Sequence, residues 1–220
     1  AEVQQQRADT QDFRSACYFD VLRNFRRMGW MVLYLFGTSP AVGKDFLQGD
    51  MSGLLSLDDL TAYGPHATSL RMSDLGYRNR DQAGVSVSAN SLAEYVRDLR
   101  RAITTPHPAY QELGLKKDGE WLQLNCNVLQ IENEFYSAIR PKRVARSGES
   151  PSTALLRGGV EYVELRALDV SAFDPVGVNQ TKLRFLEAFV ALCVLRSSPP
   201  IDEREQAAID DNYLQVSRRG

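Results

Sequence analysis

The sequence predicts an α+β fold with a largely antiparallel sheet. Three segments repeat apolar residues at the three-to-four spacing of amphipathic helices. Two others, at 122–128 and 159–169, alternate with the period of two that marks strands. The helices are separated by long polar strands, which favours α+β over a doubly wound parallel sheet.

The first helix is expected from about 10 to 36 on the stripe Cys17, Val21, Phe25, Met28 and Val32. Arg14, Arg23, Arg26 and Arg27 take its other faces, and Gly37 closes it. Ser39-Pro40 then opens a new turn or short helix. Residues 43–64 hold four glycines with several Ser and Asp, so they read as loop. A second helix, 91–104, starts at the capping-box pair Ser91 and Glu94 and carries Leu92, Tyr95, Val96, Leu99 and Ile103 on one stripe. Pro106 and Pro108 end it, and Asp118-Gly119 marks a tight hairpin turn.

Strand alternation at 122–128 sets Leu122, Leu124, Cys126 and Val128 against Gln123, Asn125 and Asn127. A second strand, 159–169, places Val163, Leu165 and Ala167 on one face and Tyr162, Glu164 and Arg166 on the other. A helix at 180–196 is expected to turn Leu183, Leu186, Val190, Cys193 and Val194 inward. Pro199-Pro200 breaks it, and Asp202 with Glu205 caps a last helix toward Val216.

The 220 residues hold 43% apolar and 25% charged side chains, a globular composition that excludes disorder. A net charge of −2 argues against a nucleic-acid partner. No apolar run approaches the roughly 18–20 residues of a membrane span, and the N-terminus does not read as a signal peptide. Cys17, Cys126 and Cys193 stand far apart, which fits a reducing cytosol better than a disulfide scaffold. Two histidines exclude a histidine-rich metal site. The chain starts at Ala1 without Met and stops at Gly220, as a processed protein or a piece of a longer one would.

Phosphate-loop, dinucleotide and nucleophile-elbow motifs are absent; Gly158-Gly159 and Ser147-Gly148-Glu149-Ser150 do not meet their patterns. Three polar segments remain. In residues 67–77, Arg71 could clamp a carboxylate and Tyr77 offer a hydrogen-bonding wall, or Arg71 and Asp74 could form a surface pair. In 123–146, amides and acids run into Arg140, Lys142, Arg143 and Arg146, which suits either an anionic ligand or a solvated basic loop. In 161–166, Glu164 and Arg166 project from one sheet face, as a Mg²⁺ ligand beside a phosphoryl-neutralising cation or as a cross-strand ion pair.

Together these segments resemble the proteobacterial type of glutamate–cysteine ligase (γ-glutamylcysteine synthetase). The likeness runs through Tyr34-Leu35-Phe36-Gly37, Phe46-Leu47-Gln48-Gly49, residues 67–77, Leu122-Gln123-Leu124-Asn125, and residues 128–136 and 139–151. It closes on Leu155-Leu156-Arg157-Gly158-Gly159, Glu161-Tyr162, Glu164 and Arg166, and so covers nearly the whole chain.

The resemblance implies a cytoplasmic ligase of glutathione biosynthesis that binds L-glutamate, L-cysteine and ATP, with Mg²⁺ or Mn²⁺. It implies a γ-glutamyl phosphate that the cysteine amine attacks, and a curved antiparallel sheet forming a funnel similar to that of glutamine synthetase. On this basis Glu164 is expected as a metal ligand and Arg166 as the phosphoryl stabiliser. Arg71, Tyr77 and Tyr136 are expected around cysteine, and Asn133, Arg140, Lys142 and Arg146 around nucleotide or phosphate.

Family members are more than twice this length. The 220 residues are therefore expected to be a single internal fragment of the catalytic domain, lacking N-terminal and C-terminal parts and inactive alone. The full-length protein is expected to be monomeric, without nucleic-acid or membrane partners. The competing expectations are a ligase joining glutamate to another amine, a non-catalytic ligand-binding remnant, and a purely structural α+β domain.

Overall fold

The computed structural model describes residues 2–47, 51, 53–76 and 85–220. In chain order its elements are α1 (Glu2–Met28), α2 (Trp30–Phe36), β1 (Ala41–Gly43), β2 (Leu55–Ser56), β3 (Thr61–Tyr63), α3 (Leu92–Thr104), α4 (Pro108–Leu113), β4 (Lys116–Lys117), β5 (Glu120–Trp121), β6 (Ile139–Lys142), α5 (Pro151–Gly158), β7 (Tyr162–Leu165), α6 (Gln180–Leu195) and α7 (Glu203–Arg219). The class is α+β, with small sheets. Two compact units share the chain: Ala1–Phe19 with Arg80–Glu164, and Asp20–Asn79 with Leu165–Gly220.

In the first unit α3 packs on α5. Ser91 Oγ accepts the Glu94 N–H and caps α3, but the Glu94 carboxylate bonds Ser88 Oγ at 2.6 Å. Tyr95, Val96, Leu99 and Ala102 form the buried stripe. Tyr95 joins an aromatic series, with its ring centroid 6.1 Å from Phe19 and 6.3 Å from Phe135. Asp118 and Gly119 both have positive φ (52° and 88°), the geometry of a type I′ turn, and β4 and β5 pair around them antiparallel as expected.

The strand expected at 122–128 does not form. Its polar side chains tie the segment to carbonyls outside it: Gln123 Nε2 donates to those of Tyr110 and Gly114, Asn125 Nδ2 to that of Gln130, and Asn127 Nδ2 to that of Ile103. The backbone there pairs in an isolated antiparallel bridge, Pro106 with Asn127, and Leu122 and Leu124 stay on the surface.

The helix expected over 10–36 begins earlier, at Glu2, and breaks at Gly29 into α1 and α2; from Asp20 onward it belongs to the second unit. The earlier start follows from the helix-favouring Gln, Arg and Ala residues that precede the apolar stripe. At Gly29 a Cβ would collide with the Tyr213 hydroxyl and come within 2.6 Å of the Phe25 carbonyl oxygen. Leu22, Phe25, Val32 and Leu33 are buried, as are Arg23 and Asn24. Arg23 donates from Nε to Ser198, and Asn24 Nδ2 satisfies the carbonyls of Cys193 and Arg196 at 2.9 Å each.

Residues 43–64 are more than loop: β1, β3 and β2 make an antiparallel sheet, with Val42 opposite Ala62 and Leu55 opposite Tyr63. Strands of two or three residues are too short to show alternation in sequence. Ser39-Pro40 leads into β1, not into a helix. On α6 the buried side chains are Leu186, Phe189 and Cys193, whereas Leu183 and Val194 are 53% and 55% exposed. Phe189 takes the inward position, its ring 5.4 Å from Phe25. Asn179 and Asp202 cap α6 and α7 through the amides of Lys182 and Glu205. No helix among the described residues is long and apolar enough to cross a membrane.

Two carboxylates contribute to the acid response. Arg157, together with the Arg146 amide, pulls Glu149 down from 4.5 to about 2. Lys182, Asn179 and Ser171 pull Asp174 down from 3.8 to about 2. A depressed folded-state pKa adds stability above the unfolded value and loses it as pH falls through the folded value. The urea midpoint of the chain is therefore expected to fall between pH 4.5 and 2. E149Q is expected to make that fall shallower, and an unchanged slope would show that the Glu149 pair contributes nothing.

Candidate functional site

In the first unit the polar cluster forms where β6 pairs with β7. Arg140 and Lys142, two apart on β6, both reach Glu164 on β7. Arg140 is 7% exposed, and Nε and Nη2 donate to Glu164 Oε2 at 3.1 and 2.9 Å. Its Nη1 donates to the carbonyls of Asn133 and Phe135. Lys142 Nζ lies 3.6 Å from the same carboxylate oxygen. A guanidinium this buried needs a counter-charge, and Glu164 provides it. The cross-strand ion pair left open by the sequence therefore exists, with Arg140 as Glu164's partner.

The four cations of 140–146 do not form one basic loop. Arg143 is held by the carbonyls of Gly158 and Gly159 and lies 3.6 Å from Glu161. Those two glycines close α5: Gly159 has φ +67°, and its N–H returns to the Leu155 carbonyl at 2.8 Å. Arg146 is exposed. Asn133 is exposed in the 3₁₀ turn Glu132–Glu134, and Tyr136, two residues past that turn, is half-buried. The sequence reading missed Glu132, which is 9% exposed and accepts both the amide and the hydroxyl of Ser152 at the start of α5.

The second unit contains Arg71 and Arg166; Tyr77 lies outside the described residues. Arg71 does not pair with Asp74, which bonds Arg218 Nε at 2.8 Å. Its Nε donates to Asp169 Oδ1 at 2.6 Å. Its Nη2 lies 3.0, 3.2 and 3.1 Å from the carbonyls of Arg166, Ala167 and Leu168. This is why the expected 159–169 strand shrinks to β7: the carbonyls beyond it face a guanidinium, not a neighbouring strand. Arg166 follows the last residue of β7 and is half-buried.

Asp169, 4% exposed, was also missed. Burial raises its pKa, but bonds from the Thr38 amide, Ser39 and Arg71 outweigh that, so the net direction is down. The only sequence signal was a single acid between Leu168 and Val170.

Among the described residues no group of three or more His, Cys, Asp or Glu side chains could hold a metal ion. Glu164 contributes one carboxylate whose Oε2 already meets two cations, so these residues alone do not build a Mg²⁺ site. The cluster can offer cations and hydrogen-bond donors to an anionic group.

The family model described as glutamate–cysteine ligase matches residues 1–216. The chain is 52% identical over 209 residues to the glutamate–cysteine ligase of Pseudomonas entomophila (strain L48), covering 95% of this chain and 39% of that protein. It is 49% identical over 219 residues to the one from Hahella chejuensis (strain KCTC 2396), covering 42% of that protein. The crystal structure of the Francisella tularensis glutamate–cysteine ligase in complex with AMP superposes with a TM-score of 0.87. Identity there is 37%, over 99% of this chain and 44% of the Francisella chain. A bifunctional glutathione synthetase from Pasteurella multocida shares the fold, at a TM-score of 0.68 and 23% identity over 95% of this chain and 22% of its own. The chain thus spans about two-fifths of the length of the curated relatives it matches.

Proposed function

Because this chain belongs to the glutamate–cysteine ligase family, we propose that it is part of a longer enzyme joining the side-chain carboxylate of L-glutamate to the amine of L-cysteine. The observation that carries this reading is the identity of about one residue in two to glutamate–cysteine ligases across 95–100% of the chain. A γ-carboxylate oxygen attacks the terminal phosphorus of ATP, releasing ADP and forming an acyl phosphate. The cysteine amine then attacks the acyl carbon; phosphate leaves, and the nitrogen gives up a proton. The AMP bound to the Francisella relative supports ATP as the nucleotide. A funnel-shaped sheet in the whole protein, and the cytoplasm as its location, belong to the same proposal.

Arg166 is assigned to the transferring phosphoryl group, whose negative charge needs a fixed cation. Lys142 and exposed Arg146 and Asn133 are assigned to nucleotide or phosphate. Arg140, committed to Glu164 and two carbonyls, supports them indirectly. Tyr77 and Tyr136 are assigned to cysteine. For Arg71, the bonds to Asp169 and three carbonyls favour holding the backbone over contacting substrate.

The test is to express the whole protein and follow γ-glutamylcysteine and ADP formation. The expected result is one ADP per peptide bond with cysteine preferred among amines. Equal rates with unrelated amines would favour the broader ligase, and no ADP release would favour a binding protein. Glu164 is proposed as one ligand of a Mg²⁺ or Mn²⁺ site completed by other residues. E164Q in the whole protein is expected to weaken Mn²⁺ binding, followed by electron paramagnetic resonance, by at least about tenfold. Unchanged Mn²⁺ affinity with a lowered melting temperature would leave Glu164 only as a counter-ion of Arg140 and Lys142.

A further inference from the structure

Asp169 is nearly sealed from solvent and accepts four hydrogen bonds. Oδ2 takes the Thr38 N–H at 3.0 Å and the Ser39 hydroxyl at 2.7 Å. Oδ1 takes the Ser69 hydroxyl at 3.1 Å and Arg71 Nε at 2.6 Å. Through Nη2, Arg71 reaches the carbonyls of residues 166, 167 and 168. These carbonyls lie beyond β7 and outside any regular element, so the arginine fork holds them where a ladder has ended.

We propose that Asp169 is a positioning residue for the ligase reaction: it anchors Arg71, and Arg71 fixes the backbone that presents Arg166. The inference rests on the function proposed above and assigns Asp169 no contact with substrate. The geometry calls for a carboxylate. Thr38 N–H and Arg71 Nε–H are donors whose hydrogens cannot rotate away, and they address different oxygens. An asparagine would place its NH₂ against one of them in either amide orientation. Arginine suits the other side of the device, because its planar fork meets a carboxylate with one nitrogen and carbonyls with another.

The experiment is a double-mutant cycle in the whole protein with D169N, R166A and the double variant, read as kcat and KM for glutamate, cysteine and ATP. D169N is expected to lower kcat about tenfold to a hundredfold, the scale of misplacing a group near the reaction, with each KM within about twofold. The double variant is expected to be little slower than R166A alone, because both changes remove the same contribution. A structural role for Asp169 would lower the folded fraction, leave kcat per folded molecule unchanged and make the two effects multiply. Either an unchanged kcat in D169N or full multiplication with R166A would overturn the proposal. If D169N does not fold, S39A/S69A, which keeps the carboxylate but strips two of its four donors, enters the cycle under the same criteria. A wild-type whole protein that makes no γ-glutamylcysteine would instead overturn the proposed function.

Discussion

Replacing Arg166 with alanine in the whole protein is expected to lower kcat by about 10²- to 10³-fold, the usual loss when one preorganised donor to developing charge is removed. Phosphoryl transfer to a carboxylate brings two anions together, so a fixed cation helps the transition state more than the separate substrates. The KM values for glutamate and cysteine should change much less than kcat. R166K should recover only part of the rate, because a lysine ammonium keeps the charge but lacks the two-pronged geometry. Steady-state rates of glutamate-dependent ADP release, with and without cysteine, test this. An R166A enzyme with normal kcat and raised KM would place Arg166 in ground-state binding and remove it from the phosphoryl step.

Phe25→Ala is expected to destabilise the second unit by about 3–5 kcal/mol, the range for emptying a buried aromatic site. Phe25 is fully buried, its ring lies 5.4 Å from Phe189, and its carbonyl receives the Tyr213 hydroxyl at 3.4 Å. The Gly29 backbone is pressed so closely against Phe25 and Tyr213 that local collapse into the cavity is restricted. Urea unfolding of the chain measures the loss, with Phe13→Ala as control. Phe13 is 72% exposed, so that change should stay within about 0.5 kcal/mol. Equal effects of the two substitutions would mean that the α1–α6 packing is not a stability centre.

Much of the helical structure was legible because its signals are local. Ser91 and Asp202 cap helices through neighbouring amides, and Asp118-Gly119 turns a hairpin with two positive φ angles. A cap or a turn involves residues only two or three apart, so the sequence alone displays it. The strand at 122–128 misled because alternation reports side-chain order, whereas the Leu124 amide there donates to the Gln130 side chain and the Asn127 amide to the Asn125 side chain.

The candidate site divides along the same line. Which residue types are present, and their family resemblance, could be read from Glu164, Arg166 and the run 139–146. Their partners could not. Arg140 and Glu164 are 24 residues apart, and Arg71 and Asp169 are 98 apart. An ion pair between distant positions leaves no period or motif in a single sequence. Helices, caps, the hairpin and the family were therefore determined by the sequence itself, through neighbour-scale geometry and resemblance. Only the tertiary structure decided that Arg140 is buried against Glu164 and that Arg71 holds Asp169 and the backbone of 166–168. Both outcomes follow from one requirement, that a buried charge or carbonyl must find a partner wherever the fold brings one within reach.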